Sequence, residues 1–474
     1  MKQLVFLFLF FSFARIATAQ NNRWNLQQCI DTALTRNFQI RQRGLQAQTA
    51  SVYQRQASEN RLPNLNAAVE HGIQTGRSID PFTNAYVNQK INYGTYSVGS
   101  EVTLFNGLSL NNSVKQYAYA ANAARMDEQQ QKDETTLNVI LAYLQVLNNE
   151  DLATIAKAQT AVTRQQVDRL EKANEVGAIS PPALYDLRGQ LKGEEVAVVN
   201  ALNAVQTAKL TLLQYMNLPY DSTMTISREG IDNALMRYPA TADMVYQNAL
   251  DKLAVVKAAE FRTRSAEAAV RAFRGQLYPT LSLSGGLGSN YSSIAQRQNL
   301  IGTSEVTTDG YVFINGDKTP VMTQQNNYAS QKINYGDQVR NNISTNVGLI
   351  VRVPILNGLR TRNNIKLAEI NVKNAALIED NTKLQLRQAI DQAYLYMSNA
   401  WEEYKARIDQ VAAYAESFRA AEVRFNAGAG TMLTYWVDYL IAKNNYDQAT
   451  QRLVLAKYDY ILRTKVLDYY SGKQ

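Results

Sequence analysis

The side chains able to do chemistry are few. The sequence holds one histidine, His71, and one cysteine, Cys29. A nucleophile triad or a zinc site needs several such groups brought together. Glycine-rich phosphate loops are also absent. The composition therefore points away from an enzyme, and no cofactor or metal is expected. Cys29 reads as a small buried residue on a helix rather than half of a disulfide. The formal net charge is +8, and two of those positive charges, Lys2 and Arg15, lie in a segment that reads as a leader. The remaining basic residues are scattered among acids along helices, which argues against a nucleic-acid surface.

The elements that hold the other charged residues are more informative. Residues 1–19 read as a secretory signal: Lys2, an apolar run from Leu4 to Phe13, and Ala17-Thr18-Ala19 as a cleavage site, with removal near Ala19-Gln20. No later stretch is expected to be apolar enough to span a membrane as a helix. Period-two alternation is clear in several segments. Ile343, Thr345, Val347, Leu349, Val351, Val353 and Ile355 point one way, and Ser344, Asn346, Gly348, Ile350, Arg352 and Pro354 the other. Leu65, Ala67, Val69, His71 and Ile73 alternate with Asn66, Ala68, Glu70 and Gly72. Val98, Val102 and Leu104 alternate with Ser97, Gly99, Glu101 and Thr103, and Leu281, Leu283 and Leu287 with Ser282, Ser284 and Gly286. Strands of about ten residues, joined at one end by long polar loops (about 74–93 and 289–341), match the pattern of an outer-membrane barrel.

The chain also repeats itself. Gln89-Lys90-Ile91-Asn92-Tyr93-Gly94 returns letter for letter as Gln331-Lys332-Ile333-Asn334-Tyr335-Gly336. Leu104-Phe105-Asn106-Gly107-Leu108 returns 251 positions later as Ile355-Leu356-Asn357-Gly358-Leu359, and Ala142-Tyr143-Leu144 as Ala393-Tyr394-Leu395. Upstream, Ala33-Leu34 and Pro63 match Ala249-Leu250 and Pro279. A repeat this long means two copies of one structural unit, with insertions admitted at loops. The expected organisation is a first repeat over 20–217, a linker over 218–239 and a second repeat over 240–470.

Each repeat reads helix, strand, strand, helix, helix. The first helices run from about Trp24 to Asn60 and from about Ala240 to Arg274, with Asp31 and Asp243 near their starts and Pro63 and Pro279 beyond their ends. No glycine or proline interrupts Leu108 to Val176 or Leu359 to Ala427, so each stretch reads as a helix on the order of 100 Å long. Ile390, Ala393, Met397, Ala400, Tyr404, Val411, Tyr414 and Phe418 make a coiled-coil seam, with Arg407 its one polar member. Ala142, Ala153, Ala156 and Ala161 permit close helix approach, as Gly189 and Gly193 would on the return helix. The long helices turn at tips over 177–182 and 428–431, where Gly177 and Gly428 can end a helix and Ser180 and Thr431 can cap the next. The return helices follow, to about Asn217 and Asp468.

Four strands cannot close a barrel, and open edges cannot face lipid. Three chains would supply twelve strands, so a homotrimer in outer-membrane lipid is expected. Glu70, Glu101 and Arg352 then face the lumen, because their strand neighbours form the lipid face. Tyr93, Tyr96, Tyr278 and Tyr335 sit near strand ends, where aromatic residues mark membrane interfaces.

This pattern resembles the TolC family of outer-membrane efflux and secretion channels. Three features carry the resemblance: the duplicated helix–strand–strand–helix order, the Asn-Gly-Leu junctions at 106–108 and 357–359, and the tips Val176-Gly177-Ala178 and Ala427-Gly428-Ala429-Gly430-Thr431. It implies a mainly α protein with a trimeric twelve-stranded transmembrane β-barrel, four strands per chain, continued by a long α-helical coiled-coil tunnel in the periplasm. It also implies a periplasmic membrane-fusion adaptor and an inner-membrane pump as partners, no cofactor and no catalysis. By position, Gly177, Ala178, Ile179 and Ser180, with Gly428, Ala429, Gly430 and Thr431, are the expected adaptor-docking tips. The family often rings its periplasmic aperture with two aspartates after the second tip. This chain departs there, with Thr434 and Val437 at those places, which leaves Asp186, Thr434 and Asp438 as candidates for the aperture. The function implied is the exit duct of a tripartite efflux pump. A type I polypeptide secretion channel and a non-transporting periplasmic coiled-coil scaffold are the alternatives.

Overall fold

The computed structural model describes residues 23–176, 181–228, 235–427 and 432–473. In chain order the elements are β1 (Arg23–Trp24), α1 (Leu26–Arg36), α2 (Phe38–Glu59), β2 (Asn64–Gln74), β3 (Arg77–Ile79), β4 (Tyr86–Asn88), β5 (Ile91–Phe105), α3 (Ser109–Glu175) and α4 (Pro181–Tyr215). There follow β6 (Thr225–Ile226), α5 (Ala242–Lys252), α6 (Ala254–Gly275), β7 (Thr280–Ser292), β8 (Gln296–Ile314), β9 (Asp317–Lys332), α7 (Tyr335–Asn341), β10 (Ser344–Arg352), α8 (Arg360–Ala427) and α9 (Met432–Tyr470). They form two compact units. One comprises residues 52–117 and 265–371, and the other the remaining described residues.

The first unit is built on a four-stranded antiparallel sheet in the order β10-β7-β5-β2. The four predicted strands are present, and their polar and apolar faces follow the predicted alternation. Asn106-Gly107-Leu108 and Asn357-Gly358-Leu359 lead from strand to helix. Gly107 and Leu108 have φ of 64° and 63°, and Gly358 and Leu359 have 63° and 61°. Two consecutive left-handed residues turn the chain sharply, and glycine makes the first of them inexpensive. At Gly107 the lack of a side chain is also a packing requirement. A Cβ there would lie 2.7 Å from Tyr278 Cβ and closer still to the Gly275 carbonyl.

The loops expected at the other end of the sheet are more ordered than their composition suggested. Residues 77–88 contain the small β3·β4 ladder. Residues 296–332 form a hairpin of 19- and 16-residue strands closed by Asn315 and Gly316, which take φ of 54° and 98°. Helix α7 follows. Gln338 ties it back, accepting from the Ser292 amide at 2.9 Å and donating to the carbonyls of Ser292 at 3.0 Å and Ile333 at 2.9 Å. The hairpin strands carry Thr, Gln, Asn and Ser on both faces, so they leave no period-two hydrophobic signal.

The second unit is helical. α3 and α8 run for 67 and 68 residues. The helices predicted from Trp24 and Ala240 each break once. Asn37 is extended at ψ 123° and Leu253 at ψ 132°. Asn37 Oδ1 accepts from the amides of Gln39 at 2.8 Å and Ile40 at 3.2 Å, which starts α2 afresh. Asp243 stands in the first turn of α5 as expected, but Asp31 lies beyond the first turn of α1, which is capped by Asn25 in a reciprocal box with Gln28.

The core is a set of helix seams. Cys29, Ala33, Val139, Tyr143, Leu147, Leu212 and Met216 make one cluster. Ile390, Ala393, Met397 and Ala400 of the predicted seam make another with Val245, Val256 and Tyr460. Burial pushes the Cys29 thiol up to about 12, which keeps it inert. The segment expected to be a plain linker takes part in this core. β6 pairs in parallel with β1, and Met224 and Ile226 are buried. Tyr143 donates to the Ser227 carbonyl, and Lys209 Nζ to the Met224 carbonyl at 2.6 Å.

Three finer expectations are corrected. Ala161 is exposed, unlike Ala142, Ala153 and Ala156. Among the described residues nothing lies within 4 Å of a Cβ built on Gly189 or Gly193, so they serve no close contact there. Finally, among the described residues one helix, over Leu184–Tyr215, is long and apolar enough to cross a membrane by length and composition, against the expectation of none. Leu184, Leu187, Leu191, Leu212 and Leu213 of this helix are buried in seams, whereas Val196, Val199, Leu202 and Leu210 between them are exposed.

A candidate channel wall

Cross-strand partners in an antiparallel sheet share a face, so the register assigns every side chain of the four strands to one side or the other. Leu65, Ala67 and Val69 of β2 stand with Val98 and Tyr96 of β5, with Leu283 and Leu287 of β7, and with Val347, Leu349 and Val351 of β10. This face is apolar and open: Leu65 is 75%, Val69 76% and Val347 82% exposed. A water-facing surface of that kind would be costly, since burying such side chains is worth about 1.5–3 kcal/mol each.

The opposite face is polar and small. Glu70 and Glu101 stand on it with Asn64, Asn66, Ser97, Thr95, Ser284, Asn346 and Arg352. The register thus brings all three charged strand residues, Glu70, Glu101 and Arg352, to one side. Glu70 accepts from the Tyr93 hydroxyl at 2.9 Å, and the Glu101 amide donates to Asn64 Oδ1 at 2.8 Å. Gly99, Gly286 and Gly288 lie on the same face, keeping its centre free of bulk.

The tyrosines divide between the faces. Tyr96 shares the apolar face with His71, and its hydroxyl meets that of Tyr335 at 2.9 Å. Tyr291 completes the group, with its ring 4.9 Å from Tyr335 and 6.1 Å from His71. Of the four tyrosines expected near strand ends, Tyr96 and Tyr335 thus belong to one aromatic group. Tyr291 was missed because it lies at the end of a serine- and glycine-rich strand, and its partner Tyr335 is delivered by a helix with no strong periodic signal. Tyr93 does not belong to the group: it lies on the polar face. Tyr278 sits at the other end of the strands, beside Gly107.

Asp186 on α4 and Asp438 on α9 are both exposed. Thr434 is placed only as a position on α9. The tip residues Gly177, Ala178, Ile179 and Ser180, and Gly428, Ala429, Gly430 and Thr431, lie outside the described residues. Among the described residues no group of three or more His, Cys, Asp or Glu side chains is placed to hold a metal.

A charged cluster inside the helical unit was not foreseen. Lys443 on α9, with its side chain 3% exposed, meets Asp447 Oδ2 at 2.6 Å and Glu194 Oε1 of α4 at 3.3 Å. Burial raises the Asp447 carboxyl above its usual range, and the Lys443 ammonium offsets only part of that. On the sequence, Lys443 looks like one more helical lysine. Its burial depends on which helices meet.

The comparisons agree with this geometry. Residues 29–218 and 245–472 match the family model described as outer membrane efflux protein. The chain is 23% identical over 388 residues to the outer membrane efflux protein BepC of Brucella suis biovar 1 (strain 1330), covering 80% of this chain and 72% of that protein. It is 24% identical over 313 residues to the pyoverdine export outer membrane protein OpmQ of Pseudomonas putida, covering 66% of this chain and 57% of that protein. The crystal structure of the outer membrane protein VceC from Vibrio cholerae superposes with a TM-score of 0.73 at 16% identity, covering 94% of this chain and 96% of that one, and shows the same fold. The chain belongs to the outer membrane efflux protein family, a family of TolC-type channels in the outer membrane.

Proposed function

We propose that this protein is the exit duct of a tripartite efflux pump. It conducts substrates passively from a periplasmic adaptor and an inner-membrane transporter to the exterior. The observation that carries this reading is the four-stranded sheet. One face is apolar and open along its length, the other is polar with small residues at its centre, and the outer edges of β2 and β10 are unpaired among the described residues. In lipid each unpaired backbone group costs several kcal/mol. The sheet therefore needs further copies to pair its edges, and three copies make a twelve-stranded barrel. Its lumen carries Glu70, Glu101 and Arg352, and its outer face meets lipid.

In this reading the repeats (20–217 and 240–470, joined by 218–239) each supply two staves and one helical hairpin. Residues 177–180 and 428–431 dock the adaptor. Asp186, Thr434 and Asp438 stand near the periplasmic aperture, where like charges converging on an axis repel when ionised and attract cations. The duct does no chemistry and needs no cofactor. The test is genetic and direct. Deleting the gene from its native cell is expected to raise intracellular accumulation of a fluorescent cationic efflux dye. The wild-type gene restores export, and so does a chain with conservative changes away from the wall. Unchanged accumulation across a panel of dyes and drugs would contradict the reading.

A further inference from the structure

Two segments leave the same end of the four-stranded sheet and settle on opposite faces of it. α7 goes to the apolar face, where Ser289 Oγ donates to the Val339 carbonyl at 2.6 Å and Tyr335 meets Tyr96. The connection from β2 to β5, residues 75–90, goes to the polar face. Asn290 and Ser292 stand on that face of β7, opposite Thr95 and Tyr93. Asn290 Nδ2 donates to the Pro81 carbonyl at 2.8 Å, and the Asp80 carboxylate accepts from the Ser292 side chain. The strand order is β10-β7-β5-β2. A segment that joins β2 to β5 therefore passes over β5 to reach β7, a path of roughly 10 Å from the spacing of strands.

The segment is internally braced. Asp80 is 1% exposed. Its carboxylate accepts from the Thr83 amide at 3.1 Å and the Thr83 hydroxyl at 2.8 Å. Asn84, at φ 57°, returns its amide to the Asp80 carbonyl at 2.9 Å. The β3·β4 ladder gives the segment two sides. Ser78 is buried and its partner Val87 half-buried, whereas the next pair, Ile79 and Tyr86, is exposed. Arg77 is exposed too, with its guanidinium 5.4 Å from the centre of the Tyr86 ring. Because Asp80 and Pro81 are fixed to β7, the buried side is the one toward the sheet. Ile91 and Ser292, at that end of the polar face, are fully buried.

We infer that residues 77–88 form a strap across the outer end of the lumen, narrowing the outlet and lining it with Arg77, Ile79 and Tyr86. This inference rests on the reading of the polar face as the wall of a duct. It adds to that reading which segment narrows the outer end and which side chains a departing solute passes there. In a barrel of three copies, three straps project inward from equivalent places. The corresponding connection in the second repeat makes no such crossing, since its α7 lies on the other face.

The test is size-graded labelling of Ser97→Cys from outside intact cells, with buried Cys29 left in place. Ser97 stands on the polar face, deeper along β5 than the strap anchors. Three full chains carry this change: one otherwise wild type, one with residues 77–88 replaced by a short Gly-Ser linker, and one with Asp80→Ala. A small membrane-impermeant maleimide is expected to label all three. A bulky polyethylene-glycol maleimide is expected to be excluded by the first, to label the second as fully as the small reagent does, and to label the Asp80→Ala chain in part. In a separate chain, Pro81→Cys with Asn290→Cys, a short homobifunctional thiol reagent is expected to join the two positions within one polypeptide. Polymer labelling that is the same in all three chains, or no link between positions 81 and 290, overturns the strap and leaves the duct standing. Failure of the small reagent to label Ser97→Cys in any chain overturns the lumen reading and the strap with it.

Discussion

Lys192 and Lys443 hold the same place in the two repeats, and their surroundings differ. The side chain of Lys192 is 76% exposed and bridges Glu195 at 2.7 Å on its own helix. That of Lys443 is 3% exposed and serves two carboxylates from two helices. The strand-to-helix junctions show a second such contrast. Gly107 and Gly358 share one backbone conformation. Gly107 is pressed against Gly275, whereas among the described residues nothing lies within 4 Å of a Cβ on Gly358. Duplication copied the local geometry, and the neighbours then set the energetics. One copy of each site is packed against neighbouring elements, and its counterpart is open among the described residues.

The contrast can be broken by paired substitutions read as thermal or denaturant unfolding of the detergent-extracted protein. Lys443→Met leaves Glu194 and Asp447 without their cation and is expected to cost about 3 kcal/mol, the loss typical of a buried pair deprived of one partner. Lys192→Met should change stability by no more than about 0.5 kcal/mol, as exposed pairs do. Equal costs would mean that the two sites are equivalent after all. Gly107→Ala adds a clash with Gly275 and Tyr278 to the left-handed strain, and is expected to cost about 2 kcal/mol or more. Gly358→Ala bears the backbone strain alone, about 1 kcal/mol. An equal loss at both positions would show that Gly358 is as tightly covered as Gly107 in the assembled protein.

The smallest effect is a pH slope. The folded Asp447 carboxyl titrates above its unfolded value. The folded state therefore binds more protons in the window between the two values, and this residue's contribution to stability rises as pH falls through that window. Glu195 has the opposite sign. The hydrogen bond from Lys192, with that from Arg164, holds its carboxyl below the usual range, so its contribution is lost as pH falls through the folded value. Subtracting the pH–stability curve of Asp447→Asn from that of the wild type is expected to leave a difference that favours the wild type progressively on acidification. A flat difference would show that Asp447 is not desolvated.

Much of this architecture was legible in the sequence because its signals are periodic. Val347, Leu349 and Val351 alternate with Asn346, Gly348 and Ile350, and the like alternation in each strand set Glu70, Glu101 and Arg352 apart from the apolar side chains. Ile390, Ala393, Met397 and Ala400 marked a helix seam that is buried as expected. What escaped notice lacked a period or depended on distant chain. The β8–β9 hairpin carries Thr, Gln, Asn and Ser on both faces over most of its length, so its strands look like a loop. The break at Asn37 is a single side chain capping the next helix within a run of good helix formers. Lys443 is buried only because α9 meets α4. The pairing of residues 225–226 with 23–24 joins segments far apart in sequence, and two residues are too few to read as a strand.

The central claim is that the two faces of the four-stranded sheet meet different media, water on one side and lipid on the other. Cysteine accessibility along β10 in intact outer membranes tests it most directly. With a small membrane-impermeant maleimide, the account predicts labelling at Asn346→Cys and Gly348→Cys and protection at Val347→Cys and Leu349→Cys, with a lipid-soluble probe giving the reverse pattern. Uniform labelling along the strand, or protection at all four positions, would contradict it.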